Sequence, residues 1–150
     1  MAKNQRDFTT TISVDQSPAD VYAAINDVRG WWSGEISGPT DQLGGEFTYR
    51  YEDLHYSKQR VTELVPGKKV VWLVVDSHLG FVADKTEWNG TTVTFDITRA
   101  GGKTEVRFTH AGLGECFGEC SSAWSSYIRG SLRKLITSGK GQPNASTRAS

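Results

Sequence analysis

The sequence predicts an α+β domain: a curved antiparallel sheet that grips one long C-terminal helix. Three observations carry that expectation. Several extended segments alternate apolar and polar residues and are joined by glycine-bearing turns, Asn89-Gly90 and Gly101-Gly102 among them. Only one short helical pattern interrupts them, directly after the first strand. The last apolar pattern, from about Glu115 to Thr137, has helical spacing and is long enough to lie across a whole sheet, at roughly 30 Å. An antiparallel sheet with one apolar face must cover that face, and this helix is the element long enough to do so.

The elements follow in order. Phe8, Thr10, Ile12 and Val14 alternate with Thr9, Thr11 and Ser13, as a half-buried strand does. Ser17-Pro18-Ala19-Asp20 opens a helix: the Ser17 hydroxyl caps it, Pro18 needs no amide partner at its first position, and Asp20 completes a capping box. Val21, Ala24, Ile25 and Val28 form its apolar stripe, and Arg29-Gly30-Trp31-Trp32 ends it or starts a second helical turn. Phe47, Tyr49 and Tyr51 then alternate with Glu46, Thr48 and Arg50. An extended segment from His55 to Leu64 closes at the turn Val65-Pro66-Gly67-Lys68. Val70 to Val75 is apolar on both faces, which predicts a central strand covered on both sides, by another layer or a partner chain.

If Asn89-Gly90 and Gly101-Gly102 are both two-residue hairpin turns, the registers follow. The first sets Asp84 opposite Phe95, Thr86 opposite Val93 and Trp88 opposite Thr91. The second sets Val93 opposite His110, Phe95 opposite Phe108 and Ile97 opposite Val106. One face then carries Val82, Asp84, Thr86, Trp88, Val93, Phe95, Ile97, Val106, Phe108 and His110, and the other is polar. On the final helix, Phe117, Cys120, Trp124, Tyr127, Ile128, Ser131, Leu132, Leu135 and Ile136 share one broad face. Gly118 and Gly130 inside it each cost around 1 kcal/mol against alanine, which close approach to the sheet or room for a ligand would justify.

Composition bounds the chain to one domain. Its 150 residues can bury roughly two-thirds of the unfolded-chain surface without help from disulfides or metal. Seventeen basic residues balance seventeen acidic ones, so no bulk field draws nucleic acid or anionic lipid. The apolar run Val70–Val75 is far too short to span a membrane, and the N-terminal residues lack the apolar stretch of a secretion signal, so a cytoplasmic location is expected. Residues 1–7 and 140–150 are expected to be flexible ends around a single domain at 8–139. Cys116 and Cys120 read as a reduced pair.

Ser17-Pro18-Ala19-Asp20-Val21-Tyr22, Trp31-Trp32, Phe47-Thr48-Tyr49, Arg60-Val61-Thr62-Glu63-Leu64 before Pro66-Gly67, and Val71-Trp72 together resemble the START-like (SRPBCC, Bet v 1-like) helix-grip superfamily. Thr86-Glu87-Trp88-Asn89-Gly90-Thr91, Thr104 to Leu113, and the helix from Trp124 to Gly139 resemble more narrowly its branch of homologues of the heat-shock-protein-90 ATPase activator. The resemblance spans about residues 8–139. It implies a seven-stranded antiparallel sheet, two short helices after the first strand, and a long C-terminal helix over a hydrophobic cavity. Superfamily members include lipid carriers, hormone receptors and cyclases, so the resemblance does not fix an activity. The full-length activator carries a further N-terminal domain for which this chain has no room, which argues against a chaperone partner.

His110 is the titratable group of most interest. It faces inward by pattern and suits a ligand-binding group or general base; the reading set against that is a structural histidine bonded to a loop at the end of its strand. Asp84 falls on the same face, where a carboxylate must be paired, neutralised or hydrated. Tyr49, Tyr51, Trp72, Trp88, Phe95, Phe108, Trp124 and Tyr127 offer apolar bulk, several with polar tips, to a cyclic or aromatic ligand. Trp31 and Trp32 border the expected entrance, and His55 and Gln59 share a face with Val61. Cys116, Cys120 and His110 lack a fourth ligand and the usual spacing, so no metal is expected, and no cofactor motif is present. There is no GxSxG elbow or triad.

The expected function is therefore binding of a hydrophobic or aromatic small molecule beneath the C-terminal helix. One alternative is a cyclase- or hydratase-like enzyme using His110 as acid or base, although the balance leans away from an enzyme. The other is a protein-interaction domain, as a homodimer or a chaperone co-regulator.

Overall fold

The computed structural model describes residues 6–32, 35–51, 55–79, 87–113 and 117–139, the side chains of 6 and 117–119 excepted. Seven strands form one antiparallel sheet: β1 (Arg6–Val14), β2 (Glu35–Ser37), β3 (Glu46–Tyr51), β4 (His55–Val65), β5 (Lys69–Leu79), β6 (Thr92–Ala100) and β7 (Lys103–Leu113). Their spatial order is β1-β7-β6-β5-β4-β3-β2, so β5 is central. The short helix α1 (Pro18–Asn26) and a 3₁₀ turn (Val28–Gly30) follow β1, and a long C-terminal helix covers the inner face.

Helix α1 starts as its sequence dictates. Pro18 occupies the first turn, and the Asp20 amide donates to Ser17 Oγ at 3.1 Å, satisfying one of the orphan N–H groups of the helix start. The C-terminal helix runs as α2 (Phe117–Ser126), a wide π-helical stretch (Tyr127–Leu132) and α3 (Arg133–Ser138), and stops at Gly139 in the left-handed conformation. Cys120, Trp124, Tyr127, Ile128, Ser131, Leu132 and Ile136 are buried on its sheet side, as the spacing predicts. Ser131 Oγ donates to the Trp31 carbonyl at 2.7 Å, and Arg129 donates to the Thr11 carbonyl at 3.0 Å, tying the helix to the first strand and to the turn after α1. A Cβ on Gly130 would meet nothing within 4 Å, so close packing is not what this glycine serves.

The β6–β7 hairpin has the expected register: Val93 pairs with His110, Phe95 with Phe108 and Ile97 with Val106. Gly101 and Gly102, at φ 58° and 84°, make the two-residue turn between Ala100 and Lys103. The other register differs. Phe95 pairs with Val70 and Val93 with Trp72, so β5, not the segment before Asn89, lies beside β6. The reason is apolar content: Val70, Trp72 and Val74 all bury inward from β5, whereas the rival run offers Asp84 and Thr86 at the same positions. Residues 80–86, with Val82, Asp84 and Thr86, lie outside the described residues. The Asn89-Gly90 turn itself forms: the Thr91 amide donates to the Trp88 carbonyl at 3.0 Å, and Gly90 donates to the Val74 carbonyl at 2.8 Å, docking the turn on β5.

On β5, Val70, Trp72 and Val74 are buried on the inner face, while Val71, Leu73 and Val75 are half-buried on the outer face. Cys120 is disulfide-bonded rather than reduced, and Cys116, the chain's other cysteine, lies outside the described residues. His78 is an exposed residue of β5. Among the described residues, no helix is long and apolar enough to cross a membrane.

Candidate functional site

The inner face carries the sequence-predicted site residues together. Trp31, Trp72, Phe95, Phe108 and His110 are fully buried, and Trp32, Tyr49, Trp88, Trp124 and Tyr127 nearly so; Tyr51 is half-buried at the sheet end opposite His55. The rings are in contact with one another. Trp32 stacks on Tyr49 with centroids 4.0 Å apart and leans on Trp124 at 5.0 Å. Trp72 meets Phe47 and Phe95 edge-on at 5.0 and 5.2 Å. Phe108 reaches Phe95 at 5.2 Å and Trp124 at 4.6 Å. Such tilted and offset pairs add modestly to the burial of large rings. Trp31 and Trp32 are packed anchors: Trp31 Nε1 donates to the Ile25 carbonyl at 3.2 Å, fixing the turn against α1.

His110 sits at the centre of a directed hydrogen-bond chain. The indole of Trp124 can only donate, so its Nε1–H at 3.0 Å makes His110 Nδ1 an acceptor. The neutral ring then carries its proton on Nε2 and donates to Thr91 Oγ1 at 2.9 Å. Thr91 in turn donates to the Trp88 carbonyl at 2.6 Å. Both ring nitrogens are thus engaged within the protein. Burial, followed by the nearby His55, pushes the His110 pKa down to about 3, so the ring is neutral at physiological pH. His55 is likewise pushed down to about 3 by burial, its ring packed edge-on against Tyr49 at 4.8 Å and Trp88 at 4.6 Å. The sequence placed His110 inward; it gave no sign of Thr91 and Trp124 as its partners, although Thr91 stands one residue before the strand position opposite Ala111.

Not every interior polar atom is paired. Gln59 Nε2 donates to Ser57 Oγ at 2.5 Å, but Gln59 Oε1, Trp72 Nε1 and Trp88 Nε1 are buried without a hydrogen-bond partner. Asp84, expected as a second polar anchor, lies outside the described residues. Among the described residues there is no cluster of three or more metal-ligating side chains.

A seven-stranded antiparallel sheet closed by two short helical elements and a long C-terminal helix is the helix-grip architecture of the START/Bet v 1 (SRPBCC) superfamily. Within it, the profile of the family described as Activator of Hsp90 ATPase homolog 1-like protein matches residues 15–137, and the chain belongs to that family. Comparison with curated proteins finds no match. Among solved structures, the chain is similar to the Aha1 dimer from Colwellia psychrerythraea, determined in solution, with 26% identity and a TM-score of 0.72, over 91% of this chain and 99% of that one. Mll3558 protein from Rhizobium loti, at 18% identity and a TM-score of 0.70, matches 86% of this chain and 96% of its own and shares the fold. CalU16 from Micromonospora echinospora, at 16% identity and a TM-score of 0.65, matches 89% and 77%.

These findings correct one expectation. The argument against a chaperone partner rested on the absence of room for a further domain. The family profile covers residues 15–137 without one, and the dimeric Aha1 structure is covered almost end to end by this chain. The alternative of a protein-interaction role therefore stands ahead of the ligand-carrier reading.

Proposed function

We propose that the protein is a cytoplasmic protein-interaction domain that acts as a dimer on the ATPase of an Hsp90-type chaperone. Membership of the activator family over residues 15–137 carries this reading. The use of both His110 nitrogens within the protein supports it, since it leaves that ring no free group for a ligand. The half-exposed outer side chains Val71, Leu73 and Val75 on the central strand offer an apolar strip to a second chain. The test is the ATPase rate of purified Hsp90 with and without the protein, alongside sedimentation of the protein alone. Saturable stimulation and a concentration-dependent dimer are expected; an unchanged rate at saturating protein sinks the chaperone role, and a monomer at all concentrations sinks the dimer.

A second reading rests on a separate observation, the unpartnered Trp72 Nε1, Trp88 Nε1 and Gln59 Oε1 in the interior. Buried donors and acceptors without protein partners are satisfied by water or by a bound molecule. Native mass spectrometry of gently purified protein separates the two: a discrete organic mass supports a carrier, and the bare polypeptide mass removes it.

A further inference from the structure

Asn89 is the asparagine of this chain that precedes a glycine; Asn4, Asn26 and Asn144 precede Gln5, Asp27 and Ala145. It is exposed at its turn, and Gly90, at φ 82°, has no side chain to shield the backbone nitrogen between them. An asparagine so placed is open to attack by its own main chain. The Gly90 nitrogen gives up its proton and bonds to Asn89 Cγ, the side-chain amide leaves as ammonia, and a five-membered succinimide results. Water then opens the ring at either carbonyl. One product is aspartate; the other is isoaspartate, with the main chain routed through Cβ. Water is the sole co-reactant.

The folded turn opposes the first step at both reacting groups. The Gly90 amide donates to the Val74 carbonyl at 2.8 Å, so the proton that the attacking nitrogen must lose is held by β5. Asn89 Oδ1 accepts from Ser77 Oγ at 2.7 Å, which holds the side chain toward β5 and away from its own backbone. Ser77 is only 3% exposed. The Val74 amide donates back to the Thr91 carbonyl at 2.9 Å and closes the dock. Ring closure therefore requires the turn to leave β5 first.

The product does not fit the dock that the asparagine filled. Asp76 Oδ1 accepts from the Ser77 amide at 3.0 Å. A carboxylate formed at position 89 thus stands beside that of Asp76 across a shared serine, and like charges repel. An isoaspartyl link also adds a carbon to the tight path on which the Thr91 amide meets the Trp88 carbonyl at 3.0 Å. Thr91 carries the effect inward, because its Oγ1 donates to the Trp88 carbonyl at 2.6 Å and accepts from His110 Nε2 at 2.9 Å.

We propose that Asn89-Gly90 is a deamidation site gated by the docking of its turn on β5, and that conversion leaves the turn undocked and loosens the hold of Thr91 on His110. The proposal is independent of the partner and ligand readings above.

Peptide mass mapping follows the amide-to-acid change in mildly alkaline buffer, with isoaspartyl and aspartyl peptides separated by chromatography. Wild type is compared folded and in urea, and Ser77→Ala folded. Backbone amide exchange of folded wild type is read in parallel. Asn89 is expected to convert in urea, and at least about tenfold more slowly in the fold, since only the opened turn reacts. Ser77→Ala loses one hydrogen bond and should convert roughly three- to tenfold faster than folded wild type. The Gly90 amide should exchange faster than the amides in the middle of β7, which marks a local opening. The purified isoaspartyl protein should exchange faster still at Gly90 and Thr91. No conversion in urea, or equal rates in urea and in the fold, overturns the gated site. So does Ser77→Ala converting at the wild-type rate. Exchange at Gly90 no faster than in β7 makes global unfolding the gate and overturns the docking mechanism. Unchanged exchange in the isoaspartyl protein overturns the undocking.

Discussion

His110 makes the stability of this fold depend on pH in a calculable way. Its ring is fully buried, and burial plus the neighbouring His55 hold its pKa at about 3, against 6.5 for the free side chain. Below pH 6.5 the unfolded chain takes up a proton that the folded chain refuses until about pH 3. The stabilisation is therefore complete above the unfolded value and is lost as pH falls from 6.5 toward 3. At pH 5 the gap of about 1.5 pH units is worth about 2 kcal/mol for His110 alone, at roughly 1.36 kcal/mol per unit. His55 shifts the same way, but its residue surface is only partly covered, so its share is smaller. Urea unfolding at pH 7, 6, 5.5 and 5 reads the effect, and this window stays above the range in which ordinary carboxylates titrate. His110→Gln, which can still accept from Trp124 but cannot titrate, should flatten most of the slope. A flat wild-type profile between pH 7 and 5, or an imidazole resonance of folded His110 that titrates near 6.5, would refute the reasoning.

Other perturbations have equally definite outcomes. Trp124→Phe removes the donor to His110 Nδ1 and strands a buried acceptor, which should cost about 1–3 kcal/mol in urea unfolding; equal stability would show that the bond contributes nothing. Ser17→Ala removes the side-chain acceptor for the Asp20 amide and should lower stability by about 1 kcal/mol, read as a drop in melting temperature. Gly130→Ala meets open space in the C-terminal helix and should stabilise by about 0.4–1 kcal/mol; a loss would point to a conformational need for glycine in the π-helical stretch. Gly38 has φ 103°, and a Cβ there would come within 2.5 Å of the Glu46 carbonyl oxygen, so Gly38→Ala should destabilise by more than about 1 kcal/mol and loosen the β2–β3 connection.

Legibility followed the range of the interaction. The β6–β7 hairpin could be read residue by residue, because alternation and the Gly101-Gly102 turn are local and a one-residue slip would turn Phe108 and His110 to solvent. The β5–β6 pairing could not, because either Val70–Val75 or the segment before Asn89 could have paired with β6. The choice depended on which run buried more apolar surface once the whole sheet assembled. The inward ring set was visible as alternating aromatics, yet its contacts with Trp31, Trp32 and Trp124 depend on those rings arriving from two helical elements.

The sequence by itself determined the class of fold and the start of α1, and identified which residues of β3, β6, β7 and the C-terminal helix face the core. Each of these follows from side-chain periodicity and local backbone preference, which act within a few residues. Tertiary structure decided the neighbour of β6 and the tautomer and acid resistance of His110. Those depend on contacts between segments far apart in the chain, where competing apolar surfaces and hydrogen-bond partners are compared only after the sheet has curved around its helix.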